Sequence, residues 1–161
     1  MIDNFRNCKV LVIGDAMLDV YYFGEVNRIS PEAPVPINRV TKIRNQMGGA
    51  ANVAHNLALL GCKTSLIAQI GNDSHGATLI EKLNSRSIDI SGAIRTNQPT
   101  TTKIRIIGGN QQMLRLDFEE ILDADIDINV PDVDAVIISD YGKGFCSEKV
   151  CRSIISQCKD K

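Results

Sequence analysis

Four consecutive apolar residues, Val10–Ile13 in CKVLVIGD, run straight into Gly14-Asp15. A strand with one wet face alternates apolar and polar residues, whereas an unbroken apolar run belongs to a strand buried on both faces, as in a parallel sheet covered by helices. An α/β layout then requires helices and further apolar strands downstream. After Gly48-Gly49, residues Ala50, Val53, Ala54, Leu57, Ala58 and Leu60 are apolar at helical spacing, and Gly61 stands where a helix-ending glycine belongs. LIAQI reads as the next buried strand, and Asp73 or Ser74 caps a helix whose apolar positions Ala77, Ile80 and Leu83 repeat at three. Further on, DAVIISD reads as another buried strand and YGKG as a glycine-flanked turn. A helix from about Ser147 follows, with Val150, Ile154 and Cys158 repeating at four.

Two stretches depart from this alternation. Between Tyr21 and Val40, aromatic and β-branched residues surround SPEAPVP, whose Pro31, Pro34 and Pro36 exclude a helix or a central strand. This predicts edge strands and a loop outside the main sheet. In TTKIRIIGGNQQMLRLDF, within about residues 99–118, two β-like runs flank Gly108-Gly109-Asn110, and a hairpin is the simplest reading. The two stretches together predict a small β flap beside a parallel sheet covered on both faces. Ligands of such sheets lie at the carboxyl ends of the strands. IGD, SDYGKG and the turn before the Gly-Gly helix are therefore expected to converge there.

The 161 residues suffice for one domain with a real core. Eighteen basic against nineteen acidic residues, a formal net charge of -1 and no basic run give no support to a nucleic-acid or anionic-membrane partner. The apolar stretches fall short of the roughly 18 residues of a membrane span, and the start MIDNFRNCK lacks the basic-then-apolar order of a signal peptide. A cytoplasmic location is expected. Cys8, Cys62, Cys146, Cys151 and Cys158 are scattered, with no Cys-x-x-Cys pair and only His55 and His75 beside them, so they read as idle or buried thiols rather than a zinc or disulfide set.

Several residues at the expected ligand edge carry chemistry. Asp15 and Asp19, spaced as G-D-x-x-x-D, offer carboxylates that can accept hydrogen bonds from neighbouring sugar hydroxyls; they read equally as a turn aspartate and a helix-cap aspartate. Gly48-Gly49-Ala50-Ala51-Asn52 opens a helix with residues small enough for close backbone approach, although a glycine pair there is often merely a tight turn. Lys103 and Arg105, with Arg115 across the hairpin, put cations on a β surface, either to close over an anionic substrate or as a solvated face. Asp140 and Lys143 form a third carboxylate-and-cation set. Neither a P-loop, nor a G-x-G-x-x-G fingerprint, nor a G-x-S-x-G elbow is present, and His55 reads as a packing or capping residue.

Taken together, GDAMLD, RISPEAPVPI, GGAANVAHNLALLG, TTKIR, NQQMLRLDFEE and SDYGKG resemble the PfkB (ribokinase-like) sugar kinases, and within them most closely the heptose 7-phosphate kinases. The resemblance covers about Lys9 to Ile155. It implies a ribokinase-like three-layer α/β sandwich, incomplete here, with a small β-sheet lid from segments about 20–45 and 99–118. It further implies that Asp19, Gly48, Gly49 and Asn52 hold sugar hydroxyls and that Lys103, Arg105, Asp140 and Lys143 complete the pocket. ATP and Mg2+ are implied for the complete enzyme, with neither expected to bind well to this chain alone. The implied partners are a sugar phosphate and a second copy joined through the lid, with no nucleic acid and no membrane. The family's G-A-G-D segment, which carries the catalytic base and anion hole, and its N-x-x-E segment are expected downstream of Lys161. The chain is accordingly expected to be the N-terminal part of one kinase domain, inactive alone, because its last helix is a crossover without a returning strand. A non-catalytic sugar-phosphate-binding or dimerisation module, and a kinase of the same family for another sugar, stay open on residues alone.

Overall fold

The structure is a computed structural model that describes residues 2–158. In chain order its main elements are β1 (Lys9–Gly14), β2 (Ala16–Ile29), β3 (Pro36–Gly49), α1 (Ala50–Leu59), β4 (Lys63–Ile67), β5 (Gln69–Gly71), α2 (Ser74–Asn84), β6 (Ile94–Thr96), β7 (Thr102–Gly108), β8 (Gln111–Phe118), β9 (Ala135–Ser139) and α3 (Glu148–Gln157). The apolar run that opens the sequence is the middle strand of a three-stranded parallel sheet in the order β4-β1-β9. Its side chains alternate between two cores. Val12 packs with Ala54, Leu79 and Leu83 of α1 and α2 on one face, while Leu11 and Ile13 meet Val150 and Ile154 of α3 on the other. Each fully buried Leu or Ile there contributes about 1.5–3 kcal/mol.

The second sheet has the order β3-β2-β7-β8, with β2 antiparallel to β3, parallel to β7, and β7 antiparallel to β8. The expected hairpin is therefore present, turning through Gly109 at φ 61°. The expectation of edge strands holds for β3, and Pro36 opens this edge strand as its missing N–H requires. It fails for β2, which is flanked on both sides because its residues Leu18 and Val20 are 0% and 4% exposed and need cover from the main core.

Three local expectations are corrected by tertiary contacts. LIAQI is not one strand: β1 turns away after Ile13, which is the partner of Ile67, so the chain beyond Ile67 loses its neighbour and Gln69–Gly71 pairs with β6 instead. The buried face of α2 is Gly76, Leu79 and Leu83, with Ala77 exposed, because Gly76 lies against Ile70, the Gly71 carbonyl and Thr100 where no side chain fits. DAVIISD is only half-buried, since among the described residues β9 pairs with β1 alone; Val136 and Ile138 line an open groove of about 360 Å³ with Ile154 and Ile155. The caps follow their chemistry: Asp73 accepts the Gly76 N–H, Ser147 accepts the Val150 N–H, and Gly61 follows α1 at φ 94°. Among the described residues no helix is long and apolar enough to cross a membrane.

Candidate substrate pocket

Asp15, at the end of β1, is 3% exposed. Its Oδ2 accepts the Tyr141 N–H at 2.7 Å and the Lys143 N–H at 3.1 Å, its Oδ1 accepts the Phe145 N–H at 3.1 Å, and its carbonyl accepts the Ala50 N–H at 2.9 Å. One residue thus ties together the end of β1, the turn after β9 and the start of α1, which converge as the α/β topology demands. The same bonds consume its carboxylate. Of the two readings open for Asp15, the turn aspartate is the one the geometry supports.

Asp19 is placed differently. It lies on the face of β2 opposite Leu18 and Val20, level with Gln46 of β3 and Lys103 of β7. Arg105 donates from Nη1 to Asp19 Oδ1 at 2.5 Å, and its guanidinium lies 5.2 Å from the Tyr21 ring centroid. Gly48 is glycine for a steric reason: a Cβ there would overlap the Asp19 carboxylate and sit 2.8 Å from Met17 Cγ. Gly49 combines φ 53° with the Asp15 carbonyl close against it, so no L side chain is tolerated without strain. The Asp19 side chain keeps 18% exposure, enough for one edge of the carboxylate to meet a ligand.

Arg115 and the two candidate lysines are already engaged. Arg115 pairs with Asp117 at 2.8 Å, Lys103 reaches Asp117 at 3.0 Å and Glu119 at 3.4 Å, and Lys143 reaches Glu119 at 3.0 Å. The chain of alternating charge joins the second sheet to the turn after β9. The Lys103 ammonium bond holds Asp117 below the usual carboxylate range, as the Lys143 bond does for Glu119. Burial disfavours the charged form of Arg105, but hydrogen bonding and charge attraction from Asp19 outweigh it and raise its pKa. The expected set of free cations is therefore a neutralised network in this state. Asp117, Glu119 and Tyr21 are members that the sequence reading missed; the alternating signs in LRLDFEE were the available signal, but which lysine each carboxylate meets depends on strand register.

Asn52 is exposed on the first turn of α1 and makes no hydrogen bond to the other candidates among the described residues. Asp140 is also exposed and accepts the Gly142 N–H at 2.8 Å, shaping the turn. The cavity at this edge, lined in part by Asp15, Gln69, Gly71, Gln98 and Lys143, holds about 30 Å³, room for about one water. Asp15, Asp140 and Cys146 bring ligand atoms within 4.8 Å of one another. They do not suit Mg2+: three amides occupy Asp15, and burial followed by the Asp15 charge pushes the Cys146 thiol up to about 12, leaving a soft, protonated donor.

The sequence model of the pfkB family carbohydrate kinases matches residues 7–160. The chain belongs to this family. A bifunctional protein HldE from Actinobacillus pleuropneumoniae serotype 5b is 48% identical over 148 residues, covering 87% of this chain and 31% of that protein. One from Helicobacter hepaticus is 43% identical over 167 residues, covering 97% of this chain and 35% of that protein. The pfkB chain thus spans about a third of the length of the curated relatives it matches. A ribokinase from Thermotoga maritima superposes with a TM-score of 0.51 at 23% identity, over 69% of this chain and 36% of that one, which shows a shared fold. The architecture of this pfkB kinase chain is accordingly an incomplete ribokinase-like α/β sandwich.

Proposed function

We propose that the chain forms the sugar-binding part of an ATP-dependent heptose 7-phosphate kinase, an enzyme that phosphorylates the C1 hydroxyl of its substrate. The observation that carries this reading is the Asp19 carboxylate, anchored on one side by Arg105, pressed against Gly48 and open on the other. An ionised carboxylate held in this way accepts hydrogen bonds from two neighbouring sugar hydroxyls. Gly49 and Asn52, at the start of α1, are proposed to offer further polar contacts, and Asp140 to border the pocket. Lys103 and Lys143 are proposed to exchange Glu119 for the substrate phosphate when it arrives. The identity to proteins named HldE supports the choice of sugar.

ATP would supply the phosphoryl group, with Mg2+ neutralising its charge. The base and the groups holding nucleotide and metal are proposed to come from outside residues 2–158, so that this chain alone is inactive. The second sheet is proposed to close as a lid that keeps water from the transferring group. Its edge strand β8 exposes Leu114, Leu116 and Phe118, an apolar strip that supports pairing of two copies through the lid.

ADP release by the protein at its natural length, with heptose 7-phosphate, fructose 6-phosphate and ribose compared, tests the proposal. The heptose phosphate should show the highest kcat/KM, Asp19→Asn should lower it about 10- to 100-fold, and the 161-residue chain alone should show no turnover. Preference for another sugar would overturn the substrate assignment. Full activity of Asp19→Asn would overturn the role of the carboxylate.

A further inference from the structure

The start of α3 brings two cysteines together. Ser147 caps the helix, its hydroxyl accepting the Val150 N–H at 3.3 Å, so Cys146 is the residue before the cap and Cys151 sits one turn into the helix. Side chains at these two places meet over the first turn, where two apolar residues ordinarily fix the angle at which the chain enters. Here the Cys151 thiol donates to the Cys146 carbonyl at 3.4 Å, and the Cys146 thiol hydrogen-bonds to the Cys151 side chain. Packing explains the contact but not the choice of thiols, whose sulfurs add a reaction that apolar groups lack.

The two sulfurs differ in their surroundings. Cys151 lines an open groove with Glu148, Arg152, Ile155 and Ser156, so a small molecule reaches it from solvent. Cys146 packs against the core cluster of Phe145, Val150 and Ile154, with its sulfur within 4.8 Å of carboxylate oxygens of Asp15 and Asp140. Burial, followed by the charge of Asp15, pushes its thiol up to about 12. Cys146 is therefore a poor first attacker at neutral pH, because the thiolate is the nucleophile. Against an ordinary thiol near about 8.5 it holds about 3,000-fold less thiolate, of which its greater basicity returns about 40-fold, so attack is slowed on the order of 100-fold. Contact with the sulfur it would attack offsets this, since groups held together react at effective concentrations far above those of a dissolved reagent.

We propose that Cys146 and Cys151 form a dithiol site that a small-molecule disulfide oxidises to an intramolecular disulfide. The Cys151 thiol gives its proton to solvent and attacks one sulfur of the reagent, whose S–S bond breaks and releases the first thiol. Cys146 then loses its proton and attacks the Cys151 sulfur, forming the Cys146–Cys151 bond and releasing the second thiol. Two protein thiols are oxidised and one reagent disulfide is reduced to two thiols. Cys146 directly follows Phe145, whose N–H is held by Asp15 at 3.1 Å, so the exchange takes place beside the turn that carries Lys143. None of the residues assigned to the sugar pocket takes part in it, and the site does not depend on the kinase reading.

The test treats the folded protein, at natural length, with oxidised glutathione, stops the exchange with acid, alkylates the remaining thiols in denaturant and maps tryptic peptides by mass. Cleavage after Lys143, Lys149 and Arg152 puts the two cysteines on separate peptides, Gly144–Lys149 and Val150–Arg152. The wild type should give these two joined through sulfur, and a dithiol reductant should separate them. Cys146→Ser should stop with glutathione on Cys151, and in Cys151→Ser the loss of the Cys146 thiol should be slowed at least about tenfold. Glutathione that stays on Cys151 of the wild type without a link, a link that forms only in denaturant, or a Cys146 that reacts as fast without Cys151 overturns the proposal. The wild-type result decides by itself if either variant fails to fold.

Discussion

Replacing Asp15 by alanine removes the acceptor of three backbone N–H groups at once, those of Tyr141, Lys143 and Phe145. The Phe145 bond is buried and the other two are part-buried. One full penalty for an unpartnered buried donor, about 1–3 kcal/mol, applies to Phe145. The other two amides can recruit water through the small cavity beside Asp15 and lose less. Relief from burying the carboxylate offsets part of the sum, leaving about 3–4 kcal/mol. Asp15→Asn keeps one acceptor oxygen and turns an NH2 toward the remaining N–H, so about 1–3 kcal/mol is expected. Equilibrium urea unfolding at pH 7 should rank wild type, asparagine and alanine in that order with the urea dependence unchanged, and Tm should fall by about 8–15 °C for alanine. Amide exchange at Phe145 should rise before global unfolding. A loss below about 1 kcal/mol in Asp15→Ala, or equal losses in both variants, would refute the view that Asp15 holds the three segments together.

Asp73 accepts the Gly76 N–H, the Thr100 N–H and the Thr100 hydroxyl; burial opposes its charge, but these bonds prevail and hold its pKa below the ordinary value. Because the folded pKa is depressed, its stabilisation is present above the unfolded value of about 3.9 and vanishes as pH falls through the folded one. Asp73→Asn should therefore cost about 1–2 kcal/mol by denaturant titration at pH 7, and the gap from wild type should narrow at pH 3. Gly49→Ala forces a Cβ onto φ 53° against the Asp15 carbonyl and should lower stability by about 2 kcal/mol or more in the same assay. Glu119, with 25% side-chain exposure, binds Lys103 and Lys143 in a partly screened setting, so Glu119→Gln should change stability by less than about 1 kcal/mol. If two copies pair through β8 as proposed, sedimentation should show a dimer for the wild type and monomers for Leu116→Lys, with the far-ultraviolet circular dichroism retained.

Much of the scaffold was legible because its signals act over a few residues. The Val10–Ile13 run, the apolar spacing of α1, the aspartate and serine caps and the glycine after α1 each reflect sterics or hydrogen bonds closed within one or two turns. The misses arose where a distant partner decides. Periodicity alone cannot tell that Gly76 rather than Ala77 meets Ile70, nor that β1 deserts the chain after Ile67.

The residue types of the candidate pocket were likewise in the sequence, as were the glycines that let the backbone close on Asp15 and Asp19. Their allegiance was not. Asp15 and Asp19 read alike as carboxylates four residues apart, yet one is spent on three amides and the other faces Arg105, 86 positions along the chain. Only strand register and the packing of the turn after β9 separate them, because hydrogen-bond energies depend on ångström-scale distances that the tertiary fold alone sets.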